Sequence, residues 1–193
     1  DVETCQEYDH FTISYRSDAK RHRQFHDAEA NGTVEEEFPD GYATPTYFFD
    51  YPAHGNVAKG QDYYLAPFLD YNEDGYYNPL DGDYPWYDFL QQIDCSERRR
   101  EDVVPLYGDQ NFYWIFNDKG NAHSESQGEP IGMEIRAQAF AFATNDEVNN
   151  MTFYNYVLIN QGTQTLTDTY FAQWVDSDLG GHVDDYVGCD VQR

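Results

Sequence analysis

Basic residues are scarce in this chain of 193 residues, which has 11 Lys and Arg against 36 Asp and Glu. The formal net charge of −25 argues against binding to nucleic acid or to an anionic membrane surface, because both need a positive patch. Apolar runs of about 18 residues, the length of a membrane-spanning helix, are also missing, so we expect no membrane insertion. Such a charge suits a protein that binds cations.

Cysteine is equally scarce, with only Cys5, Cys95 and Cys189, and their spacing fits no zinc pattern. In an oxidising compartment two of the three could form a disulfide, but the sequence does not select the pair. A signal-peptide pattern is not visible, and both ends of the sequence are abrupt. We therefore expect a processed protein or a piece of a larger one.

Aromatic residues are abundant, with 18 Tyr, 13 Phe and 3 Trp. They are sufficient to build a core, and Tyr and Phe favour strands. Alternating or aromatic segments predict strands at 9–15, 47–49, 111–116, 132–144, 151–160 and 169–175. A helix is predicted from a cap at Ser17 or Asp18 through about Ala30, closed by Asn31-Gly32.

These elements predict a mainly β fold: an antiparallel β-sandwich-like domain with long calcium-stabilised loops and one short N-terminal helix. Two segments are expected, an N-terminal helix and loop segment at 1–46 and a calcium-binding β-rich domain at 47–193.

The stretch from Asp70 to Asp81 has the pattern of a twelve-residue calcium loop, with Gly75 at the sharp turn in position 6. Calcium takes six to eight oxygen ligands, and positions 1, 3, 5, 7, 9 and 12 would supply them. The predicted ligands are Asp70, Asn72, Asp74, Tyr76 (through its backbone carbonyl), Asn78 and Asp81. Asp replaces the usual Glu at position 12, and nearby prolines argue against flanking helices. The loop thus resembles the Asp-terminated calcium loops of dockerins and thrombospondin type 3 repeats; the alternative is an acidic turn without an ion.

A second acidic cluster follows near the end of the sequence, around a reversal at Gly180-Gly181. Four carboxylates that converge without a basic neighbour would repel one another unless a cation neutralised them. We therefore expect a second calcium site, formed by Asp176, Asp178, Asp184 and Asp185. A solvated acidic turn and a single site shared by both acidic stretches are the alternatives.

Several motifs of the chain belong together: Leu65-Ala-Pro-Phe68 leading into the Asp70–Pro85 stretch, Gly108-Asp-Gln110, Phe116-Asn-Asp118, His123, Gly132-x-Glu134, Thr152-Phe-Tyr154, Trp174-Val-Asp-Ser-Asp-Leu-Gly180, and Asp184-Asp-Tyr-Val-Gly-Cys-Asp190. They resemble segments of large secreted proteins of Bacteroidetes that carry a C-terminal sorting domain of the type IX secretion system. The resemblance covers about residues 47 to 190. It implies export and an extracellular or cell-surface location, where millimolar calcium suits weak calcium sites.

The first functional hypothesis is an extracellular calcium-binding structural or adhesive module of a secreted cell-surface protein. Its partners would be calcium ions and other copies of itself or other surface proteins, as in a surface assembly or filament. Edge strands of the predicted sheet would allow such partners to add.

Two alternatives remain open. The first is a carbohydrate-binding module whose aromatic rings stack on glycans, with core packing as the competing interpretation of the same rings. The candidate rings are Tyr77, Tyr84 and Trp86, with Tyr63, Tyr64, Tyr76 and Tyr87 around them. The second is a metal-dependent hydrolase that uses the carboxylates, with His54, His123 and His182 as scattered candidates for acid–base work. Because no catalytic motif is present, we expect no enzymatic activity.

Overall fold

The structure, a computed structural model, describes residues 6–87 and 106–174 apart from 121 and 125, together with residues 180, 181, 183 and 188. The chain divides into two compact units, Asp1–Gly162 and Thr163–Arg193. The N-terminal helix and the main sheet both lie in the first of these units. The expected division at residue 46 stays a prediction. In the second unit, residues 163–174 form no helix or strand, so the strand expected at 169–175 is missing from its described part. Among the described residues, no helix has the length and apolar character needed to span a membrane.

The fold begins with strand β1 (Thr12–Tyr15), which leads directly into helix α1 (Arg16–Asn31). Gly32 ends the helix in a left-handed conformation with φ of 73°, and its N–H donates to the carbonyl of Glu29 at 3.2 Å. Only glycine adopts this conformation without strain, which confirms the predicted end of the helix. A single further turn, helix α2 (Val34–Glu37), follows.

The main sheet has four antiparallel strands in the order β1-β4-β5-β6. The bounds of the three long strands are Gln110–Asn117 for β4, Met133–Ala141 for β5 and Thr152–Asn160 for β6. All three confirm strands that the sequence predicts. On one face of the sheet, large residues of β4 lie opposite small residues of β5, as in the pairs Phe112 with Ala139 and Trp114 with Ala137. The mainly β fold class is therefore confirmed.

A small second sheet lies at the base of the stretch Asp70–Asp81, which we call the acidic loop. In this sheet β2 (Phe68–Leu69) pairs antiparallel with β3 (Tyr84–Pro85). The strand expected at 47–49 is wrong, because Thr46–Phe48 form a 3₁₀ turn in which the N–H of Phe48 donates to Pro45. Pro45 fixes the chain at the start of this turn, and Phe48 is buried by it.

One aromatic core joins the helix, the long irregular loops and the sheet. Its buried members are Ala19, Phe48, Tyr51, Ala53, Ala66, Leu69, Tyr77, Tyr84, Trp86, Tyr87, Leu106 and Tyr113. Irregular chain leaves carbonyl groups without ladder partners, and the tyrosines supply the missing donors. The hydroxyl of Tyr77 donates to the carbonyl of Phe48 at 2.9 Å, and that of Tyr113 donates to Leu65 at 3.0 Å. The loops are thus fixed to the core by tyrosine hydroxyl groups.

Candidate functional site

In the first half of the acidic loop, side chains of the loop form hydrogen bonds with the loop's own backbone. The carboxylate of Asp70 accepts hydrogen bonds from the N–H groups of Asp74 at 3.1 Å and Gly75 at 2.7 Å. The side-chain oxygen of Asn72 also accepts from the Asp74 N–H, at 3.1 Å, and the Asp74 carboxylate accepts from the N–H of Tyr76 at 2.8 Å. The side-chain oxygens of the predicted ligands at positions 1, 3 and 5 therefore all accept hydrogen bonds from the backbone of the loop.

Two left-handed residues create the sharp turn of the loop. They are Glu73, with φ of 63°, and Gly75, with φ of 79°. The carbonyl of Gly75 accepts hydrogen bonds from the hydroxyl groups of Tyr63 and Tyr64, at 3.2 and 3.4 Å. The turn is therefore anchored to a neighbouring segment of the chain.

The second half of the loop contains the predicted ligands Asn78 and Asp81. The side chain of Asn78 accepts from the N–H of Leu80 at 3.1 Å, and its amide nitrogen donates to Asp81 at 2.6 Å. This arrangement caps the 3₁₀ turn Pro79–Asp81. The two predicted ligands thus lie in direct contact with each other.

Asp83, which sequence reasoning missed, is fully buried and ties together the two ends of the loop. Its carboxylate accepts hydrogen bonds from the N–H groups of Tyr71 at 2.7 Å and Asn78 at 2.8 Å. The pKa of Asp83 is raised to about 6, mainly by burial and also by the negative charges of Asp70 and Asp74, against the lowering effect of the two hydrogen bonds. The buried carboxylate of Asp83 therefore holds the two ends of the loop together.

His54 fixes the other side of the loop. Its Nε2 atom accepts from the N–H of Tyr77 at 2.8 Å, so the ring proton lies on Nδ1, which is 3.1 Å from the carbonyl of Tyr63. The ring also stacks on Tyr76, with centroids 5.3 Å apart and planes 11° from parallel. His123 likewise directs both ring nitrogens at backbone carbonyls, those of Gly128 and Asp118. His182 lies outside the described residues.

In residues 6–87 and 106–174, Asp70, Asp74 and Asp81 make no ion pair with Lys or Arg. The ion pairs in that part of the chain include Arg16 with Asp109 and Arg136 with Asp62, which lie outside the loop. In the same part of the chain, no three His, Cys, Asp or Glu side chains are grouped so that they could hold a metal ion. The carboxylates of Asp70 and Asp74 instead accept from backbone N–H groups, and that of Asp81 accepts from the side-chain amide of Asn78. The calcium ligand set stays a prediction.

Two sets of predicted residues lie outside the described part of the chain, namely the second acidic cluster of Asp176, Asp178, Asp184 and Asp185, and the cysteines Cys5, Cys95 and Cys189. The second calcium site and any disulfide therefore stay predictions.

The aromatic residues near the loop divide into a buried and an exposed group. Tyr77, Tyr84 and Trp86, which the sequence offered as glycan-binding rings, are at most 8% exposed. Because they fill the core beneath the loop, their rings have no face open to a sugar, and Tyr87 is buried with them. The exposed rings are Tyr63, Tyr64 and Tyr76, at 42%, 55% and 59%. Among the described residues, a surface for aromatic stacking beside the loop would therefore consist of these three.

Comparison of the chain with protein-family models, with curated proteins and with solved structures gave no match.

Proposed function

We propose that this chain is an extracellular calcium-binding structural or adhesive module of a secreted cell-surface protein. The observation that supports the proposal is that the side-chain oxygens of Asp70, Asn72 and Asp74 all accept hydrogen bonds from N–H groups of the same short turn, which keeps them within one loop. A carboxylate oxygen has two lone pairs, so one can accept from the backbone while the other binds a cation. The extracellular location rests on the resemblance to secreted Bacteroidetes proteins, and the ion would pin the loops of a sandwich-like domain.

Electrostatics favours a cation at this loop. Asp70 and Asp74 raise the pKa of the buried Asp83, which means that the three carboxylates repel one another. A divalent ion would remove this repulsion and join the two halves of the loop. Sites of this kind bind calcium at roughly 10⁻⁴ to 10⁻³ M, a range that is occupied outside the cell.

Thermal unfolding in calcium and in excess chelator tests the proposal. Calcium at roughly 10 to 100 times its dissociation constant should stabilise the chain by about 2 kcal/mol, which raises the Tm by about 4–8 °C. The informative variant is Asp74→Asn, which keeps an oxygen for the Tyr76 N–H but removes a charge. Its matched control is Asp146→Asn, since Asp146 accepts from the N–H of Val148 in a turn outside the loop.

Asp74→Asn should lose most of the calcium-dependent shift, whereas Asp146→Asn should keep it. In chelator, Asp74→Asn should be as stable as the parent chain or slightly more stable, because repulsion is reduced. The absence of any calcium-dependent shift in the parent chain, or an equal loss in both variants, would refute the calcium site.

A carbohydrate-binding module is the second candidate, and the exposed aromatic group favours it. His54 lies between Tyr76 and Tyr63, with ring centroids 5.3 and 4.3 Å away, and the Tyr63 hydroxyl is fixed to Gly75. Rings held in place in this way can stack on the apolar face of a sugar with little loss of side-chain freedom.

Binding to a glycan panel tests this second candidate. Tyr76→Ala should abolish binding, while Tyr154→Ala, which removes an equally exposed tyrosine from the main sheet, should leave it intact. Binding that both variants retain would place the glycan elsewhere, and no binding by the parent chain would remove the candidate.

A further inference from the structure

Helix α1 carries two buried histidines, His22 and His26, one turn apart on the same face. They are 0% and 8% exposed, and their ring centroids lie 4.6 Å apart. Among the described residues, the Nε2 atom of neither ring has a hydrogen-bond partner, although both atoms are buried. Buried polar atoms of native proteins almost always have a partner, so two orphaned nitrogens on adjacent rings need an explanation.

The other nitrogen of each ring is held by a neighbouring side chain. Nδ1 of His26 lies 2.9 Å from a carboxylate oxygen of Glu29, and Nδ1 of His22 lies 2.9 Å from the hydroxyl oxygen of Tyr42. Because a carboxylate only accepts hydrogen bonds, Nδ1 of His26 carries the proton and Nε2 of the neutral ring presents a lone pair. The Tyr42 hydroxyl allows the same tautomer in His22. Histidines that bind metal ions are oriented in this way, with Nδ1–H donating to an oxygen and Nε2 on the ion.

Both rings are also in the neutral form that metal binding requires. The pKa of His22 is lowered to about 4, mainly by burial and also by His26, and burial lowers the pKa of His26. The carboxylates of Glu29, Asp81 and Asp27 act in the opposite direction on the pKa of His26, which places negative charge close to the pair. Neutral imidazoles beside carboxylates favour a cation that prefers nitrogen ligands.

We propose that His22 and His26 bind a divalent transition-metal ion such as Zn²⁺ through their Nε2 atoms. A zinc ion lies about 2.0–2.1 Å from a histidine nitrogen, so two rings that share it at about 90–110° have centroids roughly 4.5–5.2 Å apart. The observed distance of 4.6 Å falls in this range. Imidazole nitrogen suits zinc, copper and nickel, whereas calcium prefers oxygen. The proposal goes beyond the calcium-binding role and does not depend on it.

The remaining coordination positions fall to oxygen atoms. In residues 6–87 and 106–174, no third His, Cys, Asp or Glu side chain joins the pair in a metal-binding group. The backbone carbonyls of Pro79 and Asp83 lie beside the His22 ring and raise its pKa against the effect of burial, yet Nε2 has no hydrogen bond among the described residues. These carbonyls or water would complete the coordination. With two protein nitrogens, the site should bind zinc more weakly than a structural site with four protein ligands.

Thermal unfolding with and without Zn²⁺, in excess calcium so that the acidic loop is not left for zinc, tests the site. Zinc at about 100 times its dissociation constant should raise the Tm of the parent chain by about 5–10 °C. His22→Gln and His26→Gln should each lose most of this shift, because each removes one nitrogen ligand. Two controls should keep it: His10→Gln, which removes an exposed histidine, and Asp74→Asn, which removes a charge from the acidic loop.

Nitrogen NMR of the imidazole rings gives a readout that needs no substitution. Zinc should move the Nε2 resonances of His22 and His26, while those of His54 and His123, whose nitrogens face backbone groups, stay in place. A parent chain whose Tm and Nε2 resonances do not respond to zinc, or a Tm shift that both His22→Gln and His26→Gln keep, overturns the proposal. Loss of the shift in Asp74→Asn would also overturn it, because zinc would then occupy the acidic loop.

Discussion

The buried carboxylate of Asp83 accepts a hydrogen bond of 2.7 Å from the backbone N–H of Tyr71, twelve residues earlier in the chain. Together with the hydrogen bond of 2.8 Å from the N–H of Asn78, this contact joins the two ends of the acidic loop. Asp83 is therefore a structural support for the loop, distinct from the predicted ligands that line it. The predictions below separate that support from the proposed ion.

Replacing Asp83 with Ala should destabilise the chain by about 3 kcal/mol in chelator, because it leaves two buried N–H groups without an acceptor. Asp83→Asn should lose only about 1–2 kcal/mol, since its amide oxygen still accepts one of the two hydrogen bonds. Urea unfolding measures both values.

The matched control is Asp81→Ala, which removes an exposed predicted ligand. In chelator it should change the free energy of unfolding by no more than about 0.5 kcal/mol. If Asp83→Ala were as mild as this control, the loop would not depend on Asp83.

The tyrosine hydroxyl groups of the core should contribute measurably to stability. Tyr77→Phe removes the donor to the carbonyl of Phe48 and should destabilise the chain by about 1–2 kcal/mol. The neighbouring Tyr76→Phe alters an exposed ring and should have an effect within about 0.5 kcal/mol. Equal effects in urea unfolding would show that the buried hydroxyl group does not hold the loop.

Acid should destabilise the chain through His22 on helix α1. The ring is fully buried, 2.9 Å from the hydroxyl of Tyr42 and with its centroid 4.6 Å from that of His26. The pKa of His22 is lowered to about 4, mainly by burial and also by the neighbouring His26. As pH falls from about 6.5 to about 4, the unfolded chain therefore binds a proton at this imidazole that the folded chain does not bind. The free energy of unfolding decreases as a result.

The variant His22→Gln isolates this contribution. Between about pH 7 and about pH 4.5 the parent chain should lose about 2–3 kcal/mol more than the variant, because only the parent has the buried imidazole. Urea midpoints at the two pH values provide the measurement. Parallel losses in both proteins would assign the acid sensitivity to other groups.

Local signals in the sequence were enough for the end of helix α1 and for the three long strands of the main sheet. Gly32 marks the helix end, and the alternation in β5 and β6 marks long strands. The prediction of a strand at 47–49 was wrong because the aromatic run there has high strand propensity, whereas the burial of Phe48 and the fixed geometry of Pro45 favour a turn. Propensity does not decide between these outcomes when the deciding contacts are distant in sequence.

The site was only partly predictable for the same reason. Spacing identified Asp70, Asn72 and Asp74, whose roles are local to the loop. His54 acts through a contact with Tyr77, 23 residues later in the sequence. Asp83 acts through its burial beneath the loop, and nothing in the pattern separates a buried Asp from an exposed one. The one available signal is that Asp83 directly precedes the apolar, aromatic strand β3. Burial likewise separates Tyr77 from its exposed neighbour Tyr76, although both have the same side chain.

A calorimetric titration of calcium into the chelator-treated chain, with elemental analysis of the bound metal, tests the central claim most directly. The account predicts saturable binding at roughly 10⁻⁴ to 10⁻³ M that involves the Asp70–Asp81 loop. The Asp74→Asn variant should bind one ion fewer than the parent chain or bind it much more weakly, while Asp146→Asn should bind like the parent. No saturable calcium binding by the parent chain, or binding that Asp74→Asn leaves unchanged, would contradict the account.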